Sequence, residues 1–405
     1  MWRQLLPASA CRPLQTRLLS TRRTASSETI SALKDLLGDR LSTSRSVLEQ
    51  HGTDESYHKV TPPDAVAFVE STQEVSQVIK ICAAAGTPVI PLILKVEPEN
   101  MSCRVQAGVT RELLNTDLRA TGLFFPVDPG ANASIGGMIN TNASGTTTVR
   151  YGNMKTNVMA LTAVMADGSI IKTGSKTRKS SAGYDLTRLI IGSEGTLAVV
   201  TEAELRLFGN PEAEKTMICS FNTMKDAVET CAAVMQMGIP VALMELMDEN
   251  AVEAINKTEE AVEWSPLGLV SQMPGSRGLV TDVAVPPSKL ADVIVETQVD
   301  LKETGLFGAI VGHVGDGNFH AMIPFYQDNQ ELMTKVKSFS NRLVERALAY
   351  EGTCTGEHGI GLGKMNYLSV EHRDSVDVMH TIKKALDPKD IMNPGKMFYG
   401  NAPSY

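Results

Sequence analysis

The chain has 405 residues, 42% of them apolar and 21% charged, and a net charge of −8. That is the composition of a globular protein of two or three domains, and it excludes wholesale disorder, collagen and coiled coil. The acidic balance argues against a nucleic-acid partner held through its phosphates. No apolar run reaches the ~20 residues that a transmembrane segment needs. The six cysteines lie far apart with no CxxC pair, so they read as free thiols in a reducing compartment.

Residues 1–27 hold Arg3, Arg12, Arg17, Arg22 and Arg23 and no acid, which leaves −13 on the remainder. Arginines spaced by Ser, Thr and Leu pairs predict a mitochondrial transit peptide over 1–27, and so a mitochondrial protein. The first folded element is expected near Thr29, as an amphipathic helix through Ile30, Leu33, Leu36 and Leu37. Ala65–Val69 predicts a strand, and Ser71 with Glu74 predicts the capped start of a helix running to Ala85. Val89–Ile90, Val158–Val164 and a long run over 195–208 predict further strands, completing a first domain over 28–209. Residues 210–350 predict a second, α+β domain of ferredoxin-like type. Its expected strands are Met217–Phe221, Val241–Met247, Leu279–Val285, Phe307–His313 and Phe319–Pro324. Its expected helices are Met224–Met237, Glu249–Lys257, Lys289–Glu303 and Asp328–Tyr350. Residues 351–405 predict a small C-terminal cap built of a Gly-rich loop, a short helix and a Pro-Gly tail.

Small and amide residues concentrate in the first domain, in Pro126-Val-Asp-Pro-Gly130, Ser134-Ile-Gly-Gly-Met138 and Asn142-Ala-Ser-Gly145. They recur in Gly183-Tyr-Asp-Leu186 and Gly192-Ser-Glu-Gly-Thr-Leu197. Neither the P-loop nor the GxGxxG fingerprint occurs, and any one cluster could be a plain turn. Together, beside strands, they predict a backbone cradle for a large, flat ligand. In the second domain, His313 and His320 bracket a Gly-Asp-Gly-Asn turn between two strands, which a hairpin would bring to one rim. Glu357 and His358 follow in a Gly-rich setting. Two imidazoles and a carboxylate are a standard ligand set for a catalytic divalent cation, Zn or Mn. His51, His58, His372 and His380 have no partner motif and read as structural.

The ordered set of Gly- and Asn-rich motifs resembles the FAD-binding domain of vanillyl-alcohol-oxidase-type flavoproteins. Within these it is most similar to the mitochondrial D-lactate dehydrogenases, over about residues 28–400. The resemblance implies FAD between two subdomains of 28–209. Pro129, Gly130, Ser134, Gly136, Gly137, Asn142, Ser144, Gly145, Gly192, Gly195, Thr196 and Val199 would line it, with Asn393 at the flavin edge. It also implies metal ligation by His313, His320 and Glu357, and His358 as general base. The implied reaction is oxidation of D-lactate or a related D-2-hydroxy acid to the 2-oxo acid, with electrons passed to a one-electron acceptor such as cytochrome c. D-2-hydroxyglutarate dehydrogenase is the near alternative, and a metallohydrolase would leave the glycine clusters without a purpose.

Two pieces of the family pattern are missing. Pro91 runs into Leu92-Ile-Leu-Lys-Val-Glu-Pro98 with no glycine before Gly108, where the family carries a pyrophosphate loop. Between Trp264 and Gly278 the family carries more chain, including a basic helix. These gaps predict a shortened form, with FAD binding impaired.

Overall fold

The computed structural model describes residues 24–52, 61–85, 87, 96–99, 101–177, 179–257 and 275–398. The Arg-rich stretch before residue 24, His58, Val89–Ile90, the stretch following Pro91 as far as Lys95, and Trp264 to Pro274 lie outside the described residues.

Helix α1 (Ser27–Leu37) starts where the periodicity predicts, with the Ser26 hydroxyl accepting from the Thr29 N–H. Its Leu33 and Leu37 pack against Val78 and Cys82 of α2 (Thr72–Ala85). Ser71 caps α2 by accepting from the Glu74 N–H at 3.1 Å, and Arg40 donates to both Glu74 oxygens at 2.6 and 2.7 Å.

The first domain is built on a five-stranded antiparallel sheet. Its strands are β1 (Val96–Glu99), β2 (Ser102–Gln106), β3 (Val158–Met165), β4 (Ile170–Gly174) and β5 (Ala198–Arg206), ordered β1-β2-β5-β3-β4. β5 is central and buried on both faces, which is why its sequence reads as a near-continuous apolar run. Its buried Glu204 accepts from Ser102 Oγ at 2.6 Å and pairs with Lys176 at 3.5 Å. The strand expected over 195–208 is shorter than predicted. Gly195 turns the chain at φ +72°, and Phe208–Gly209 pairs separately with Leu123–Phe124. Helix α3 (Ile135–Thr141) packs Ile135, Met138 and Ile139 into the same core as β2 and β5.

The second domain is α+β, with a mixed-length antiparallel sheet. Helix α4 (Met224–Gln236) precedes β6 (Glu245–Met247), and α5 (Glu249–Lys257) follows it. Then come β7 (Arg277–Val280), β8 (Val283–Ala284), α6 (Leu290–Thr304), β9 (Ala309–His313), β10 (Asn318–Phe325) and α7 (Gln330–Ala349). The order is β6-β9-β10-β7, with β8 also paired to β10. Val293, Ile294, Phe339 and Leu343 of α6 and α7 cover one face, against Ile310, Ala321 and Ile323. Ala251 and Ala254 of α5 cover the other, against Ala309, Val311 and Met322.

Three expected strands change. Met217–Phe221 forms none, and Met217 and Ile218 stand 82% and 92% exposed. An apolar run becomes a strand only where a ladder accepts its backbone groups, and no described strand pairs with it. Val241–Met247 shortens to β6. Leu279–Val285 divides into β7 and β8 at Thr281–Asp282, where the Thr281 hydroxyl accepts from the Ala321 N–H at 2.8 Å and the Asp282 carboxylate turns to the partners described below. The cap holds two helices rather than one, α8 (Met365–His372) and α9 (Ser375–Leu386). No helix among the described residues is long and apolar enough to cross a membrane. The described cysteines are free, and burial pushes the thiols of Cys82, Cys103 and Cys354 up to about 11, 12 and 12.

Asp248 opens α5, accepting from the N–H groups of Ala251 at 2.9 Å and Ile310 at 3.0 Å. Burial pushes its carboxyl up to about 6. An acid with a raised folded pKa takes up its proton in the folded chain first. Between roughly pH 4 and pH 6 its contribution therefore makes stability rise as pH falls. Asp248→Asn should remove that component. Urea midpoints of both proteins at pH 4.5 and pH 7 check it, and equal shifts in the two would contradict it.

Candidate active site

The site forms where sheet ends, cap loop and glycine cradle meet. His313 ends β9, and the register sets it opposite Glu245 of β6. Its Nδ1 lies 2.7 and 2.9 Å from the two Glu245 oxygens, so Nδ1 donates to Glu245 and Nε2 is the nitrogen turned toward Glu357. His320 sits on β10 with Nδ1 2.9 Å from the Thr281 carbonyl, which again leaves Nε2 as the accepting nitrogen. Both Nε2 atoms converge on Glu357 Oε1, at 3.9 and 3.4 Å. The ligand atoms of His313, His320 and Glu357 lie within 4.8 Å of one another. Tetrahedral bonds of about 2.1 Å separate ligand atoms by about 3.4 Å, so the donor types suit a Zn²⁺-sized cation and the three side chains would close in by up to about an ångström to hold it. The hairpin thus brings both imidazoles together, with ring centroids 5.7 Å apart.

His358 stacks on His320 at 5.2 Å with its Nε2 3.5 Å from Glu357 Oε1, and 45% of its side chain is exposed. It is the member of the cluster that a substrate can reach. Burial disfavours its charged form, but Glu357 and Asp282 outweigh that and raise its pKa. Burial likewise opposes protonation of His313, yet the Glu245 hydrogen bond and the charges of Glu245, Glu357 and Asp316 push it up to about 9. Asp316 is half-buried, and its desolvation together with the charges of Glu245 and Glu357 pushes it up to about 6.

Asp282, at the break between β7 and β8, organises the cap loop. It accepts from the N–H groups of Glu357 and His358 at 2.9 Å each, from Thr355 Oγ1 at 2.7 Å and from Asn318 Nδ2 at 2.9 Å. Lys364 lies 3.6 Å away. Burial alone would raise its pKa, but Lys364, His358, His320 and the His358 N–H hold the carboxyl well below the usual range. Gly356 crosses directly over Asn318 and Asp282, where a Cβ would collide with both.

The glycine clusters knit into one surface. Ser134 caps α3, accepting from the Gly137 N–H at 3.2 Å, and Asn142 closes it in a left-handed conformation at φ 53°. The N–H of Gly192 donates to Ile139 O at 2.9 Å, and that of Glu194 to Asn140 O at 2.8 Å. Gly136 packs on Ala107 and Gly145 on Asp128, so these two glycines serve close packing, whereas Gly130 faces open space. Pro129 is half-buried beside it. Gly195 has only Asn393 at 4.0 Å, and Thr196 offers its carbonyl to Lys383 Nζ at 3.0 Å. Val199 is buried with Val75, Ile79 and Val164. Two buried polar atoms on this surface, Asn140 Oδ1 and Ser193 Oγ, have no hydrogen-bond partner, which fits a cradle for a polar ring system. Ser144 donates to Glu357 Oε2 at 3.0 Å, so the cradle touches the imidazole–carboxylate cluster directly.

Sequence reasoning missed Glu245, Asp282 and Glu194. A signal existed for the first two: each is a lone acid in an apolar, strand-forming run, and a buried carboxylate needs partners. His51, His372 and His380 behave as structural residues, touching Val47 O, Glu371 and Phe398.

The family model described as FAD linked oxidases, C-terminal domain, matches residues 210–271 and 263–397, and that described as FAD binding domain matches 93–174. The "Probable D-lactate dehydrogenase, mitochondrial" of Danio rerio is 38% identical over 466 residues, covering 94% of each chain. The chain belongs to the D-lactate dehydrogenase family of FAD-linked oxidases. The Arabidopsis thaliana "D-lactate dehydrogenase [cytochrome], mitochondrial" is 37% identical, over 91% of this chain and 80% of that one. A "D-2-hydroxyglutarate dehydrogenase" of Xanthomonas citri is 28% identical, over 89% and 94%. Among solved structures, 4-ethylphenol oxidase from Gulosibacter chungangensis superposes with TM-score 0.71 at 13% identity, over 92% of this chain and 96% of that one. That likeness establishes the shared fold.

Proposed function

We propose that the protein is a mitochondrial, FAD-dependent dehydrogenase that oxidises D-lactate, or a related D-2-hydroxy acid, to the 2-oxo acid. The observation that carries this reading is the convergence of two imidazole Nε2 atoms and one carboxylate within 4.8 Å, beside a reachable third imidazole and a glycine cradle. When bound, FAD supplies the acceptor for the hydride of C2, and a Zn²⁺ or Mn²⁺ held by His313, His320 and Glu357 supplies Lewis acidity at the hydroxyl. His358 accepts the hydroxyl proton at its exposed ring edge, which leaves the electron pair of the C2–H bond free to depart. Glu245 and the Thr281 carbonyl hold the Nδ1 side of the two imidazoles, so that each would present Nε2 to the cation. Ser144 and Asp282 fix Glu357 and its loop.

The acid-free, Arg-rich 1–27 supports a transit peptide, in keeping with the mitochondrial names of the relatives. A cytochrome-type acceptor for the electrons is supported by the Arabidopsis relative's name. D-2-hydroxyglutarate would need a second cationic contact for its distal carboxylate, in the stretch between Trp264 and Gly278 that the family pattern shortens here. Steady-state rates on both acids separate the two, with D-lactate expected to be the faster.

A second reading is a shortened chain that keeps the metal and loses the flavin. Three observations favour it. The stretch after Pro91 has no glycine before Gly108, and the FAD-domain match begins only at residue 93. The C-terminal match comes in two pieces meeting near 263–271. The alignment to the Danio chain runs over 466 positions, more than this chain's 405 residues. Losing three charge-assisted bonds to pyrophosphate, at roughly 1.5–3 kcal/mol each, would weaken FAD binding by several orders of magnitude. The visible spectrum and metal content of the purified chain decide between them. Flavin near one per chain supports the working enzyme, and metal without a flavin band supports the flavin-poor form.

A further inference from the structure

The loop from Gly356 to Gly361 carries Glu357 and His358 but belongs to no strand or helix. Asp282 holds it from the second domain. From the opposite side, Glu194 reaches across out of the Gly192-Ser-Glu-Gly195 turn. Its Oε1 accepts from the Ile360 N–H at 2.6 Å, and its Oε2 from the Gly361 N–H at 2.8 Å. Gly359 makes this approach possible: it sits at φ +78°, and a Cβ there would stand 2.8 Å from Glu194 Oε1.

Glu194 is also fixed along its backbone. It adopts φ 52°, a left-handed conformation that a non-glycine residue keeps only where its surroundings dictate it. Its N–H donates to Asn140 O at 2.8 Å, and its carbonyl accepts from Asn393 Nδ2 at 2.6 Å. One residue therefore binds helix α3, the C-terminal tail and the cap loop together.

We propose that Glu194 is a positioning residue: through two backbone N–H groups it sets the loop that presents Glu357 to the metal and His358 to the substrate, and so locks that loop to the glycine cradle. The inference rests on the roles given to Glu357 and His358 above. Glu194→Gln keeps the volume but places an NH₂ group against one of the two backbone donors. Gly359→Ala breaks the same contact while leaving Glu194 intact.

The test uses the full chain, with Co²⁺ alone as the metal probe and amide hydrogen exchange as a second readout. Both variants should bind Co²⁺ about 10-fold more weakly, and the Ile360 and Gly361 amides should exchange about 10-fold faster. The amides of β10 should stay protected. Unchanged Co²⁺ affinity with unchanged exchange at Ile360 and Gly361 overturns the proposal. So does a loss of protection that spreads through β10, because Glu194 would then be a general stabiliser. A wild-type chain that fails to turn over D-lactate contradicts the proposed function instead, and leaves both readouts intact.

Discussion

Replacing His358 by Gln should lower kcat on D-lactate by about 10²- to 10⁴-fold, the range for losing a general base. The substitution removes the group whose ring lies 5.2 Å from that of His320 and whose side chain is 45% exposed. It leaves His313, His320 and Glu357 untouched, so metal content should stay at the wild-type level. KM should change far less than kcat, because the base acts on a proton in flight rather than on binding. Rates and metal content measured on one preparation check this. A variant that keeps more than about a tenth of the wild-type kcat would mean that another group takes the proton.

Asp282→Ala should be the most destabilising single change near the site. The carboxylate is 1% exposed and accepts from two backbone N–H groups, a hydroxyl and an amide, with Lys364 at 3.6 Å. Removing one partner of a buried pair leaves the other charge uncompensated, at a cost of about 3–5 kcal/mol. The loss should be accompanied by release of metal, because Glu357 loses the bond that fixes its backbone. Asp282→Asn keeps shape and one acceptor oxygen, so it should cost less. Urea unfolding followed by tryptophan-independent circular dichroism, with metal analysis beside it, tests both. Equal midpoints for wild type and Asp282→Ala would show that the loop is held by other contacts.

Much of this arrangement was legible in the sequence because it is local. Helices α2 and α7 carry both a 3.6-residue apolar period and a polar start, and their ends fall within two residues of expectation. His313 and His320 share one hairpin, so their spacing alone implies a common rim. What escaped depends on contacts between distant segments. Met217–Phe221 has strand chemistry, but strand formation needs a neighbour that its own residues cannot supply. Asp282 breaks an apolar run for the sake of Glu357 and His358, more than seventy residues away. Glu194 looks like one polar residue in a glycine turn until the cap loop folds onto it, 166 residues later in the chain.

The glycines divide in the same way. The family resemblance implies that Gly136 and Gly145 line the flavin, and in the fold their missing side chains also make room for Ala107 and Asp128. Composition identifies a place where backbones come close, and only the fold tells whether protein or ligand fills the space.

If the proposed function holds, a cation at His313, His320 and Glu357 and a flavin in the glycine cradle act on one substrate. Anaerobic mixing of the FAD- and Zn²⁺-loaded chain with D-lactate, followed at the flavin absorbance, puts this joint action to the test. D-lactate should bleach the flavin, L-lactate should not, and stripping the metal should abolish the bleaching. Bleaching at full rate in the metal-free protein would contradict it.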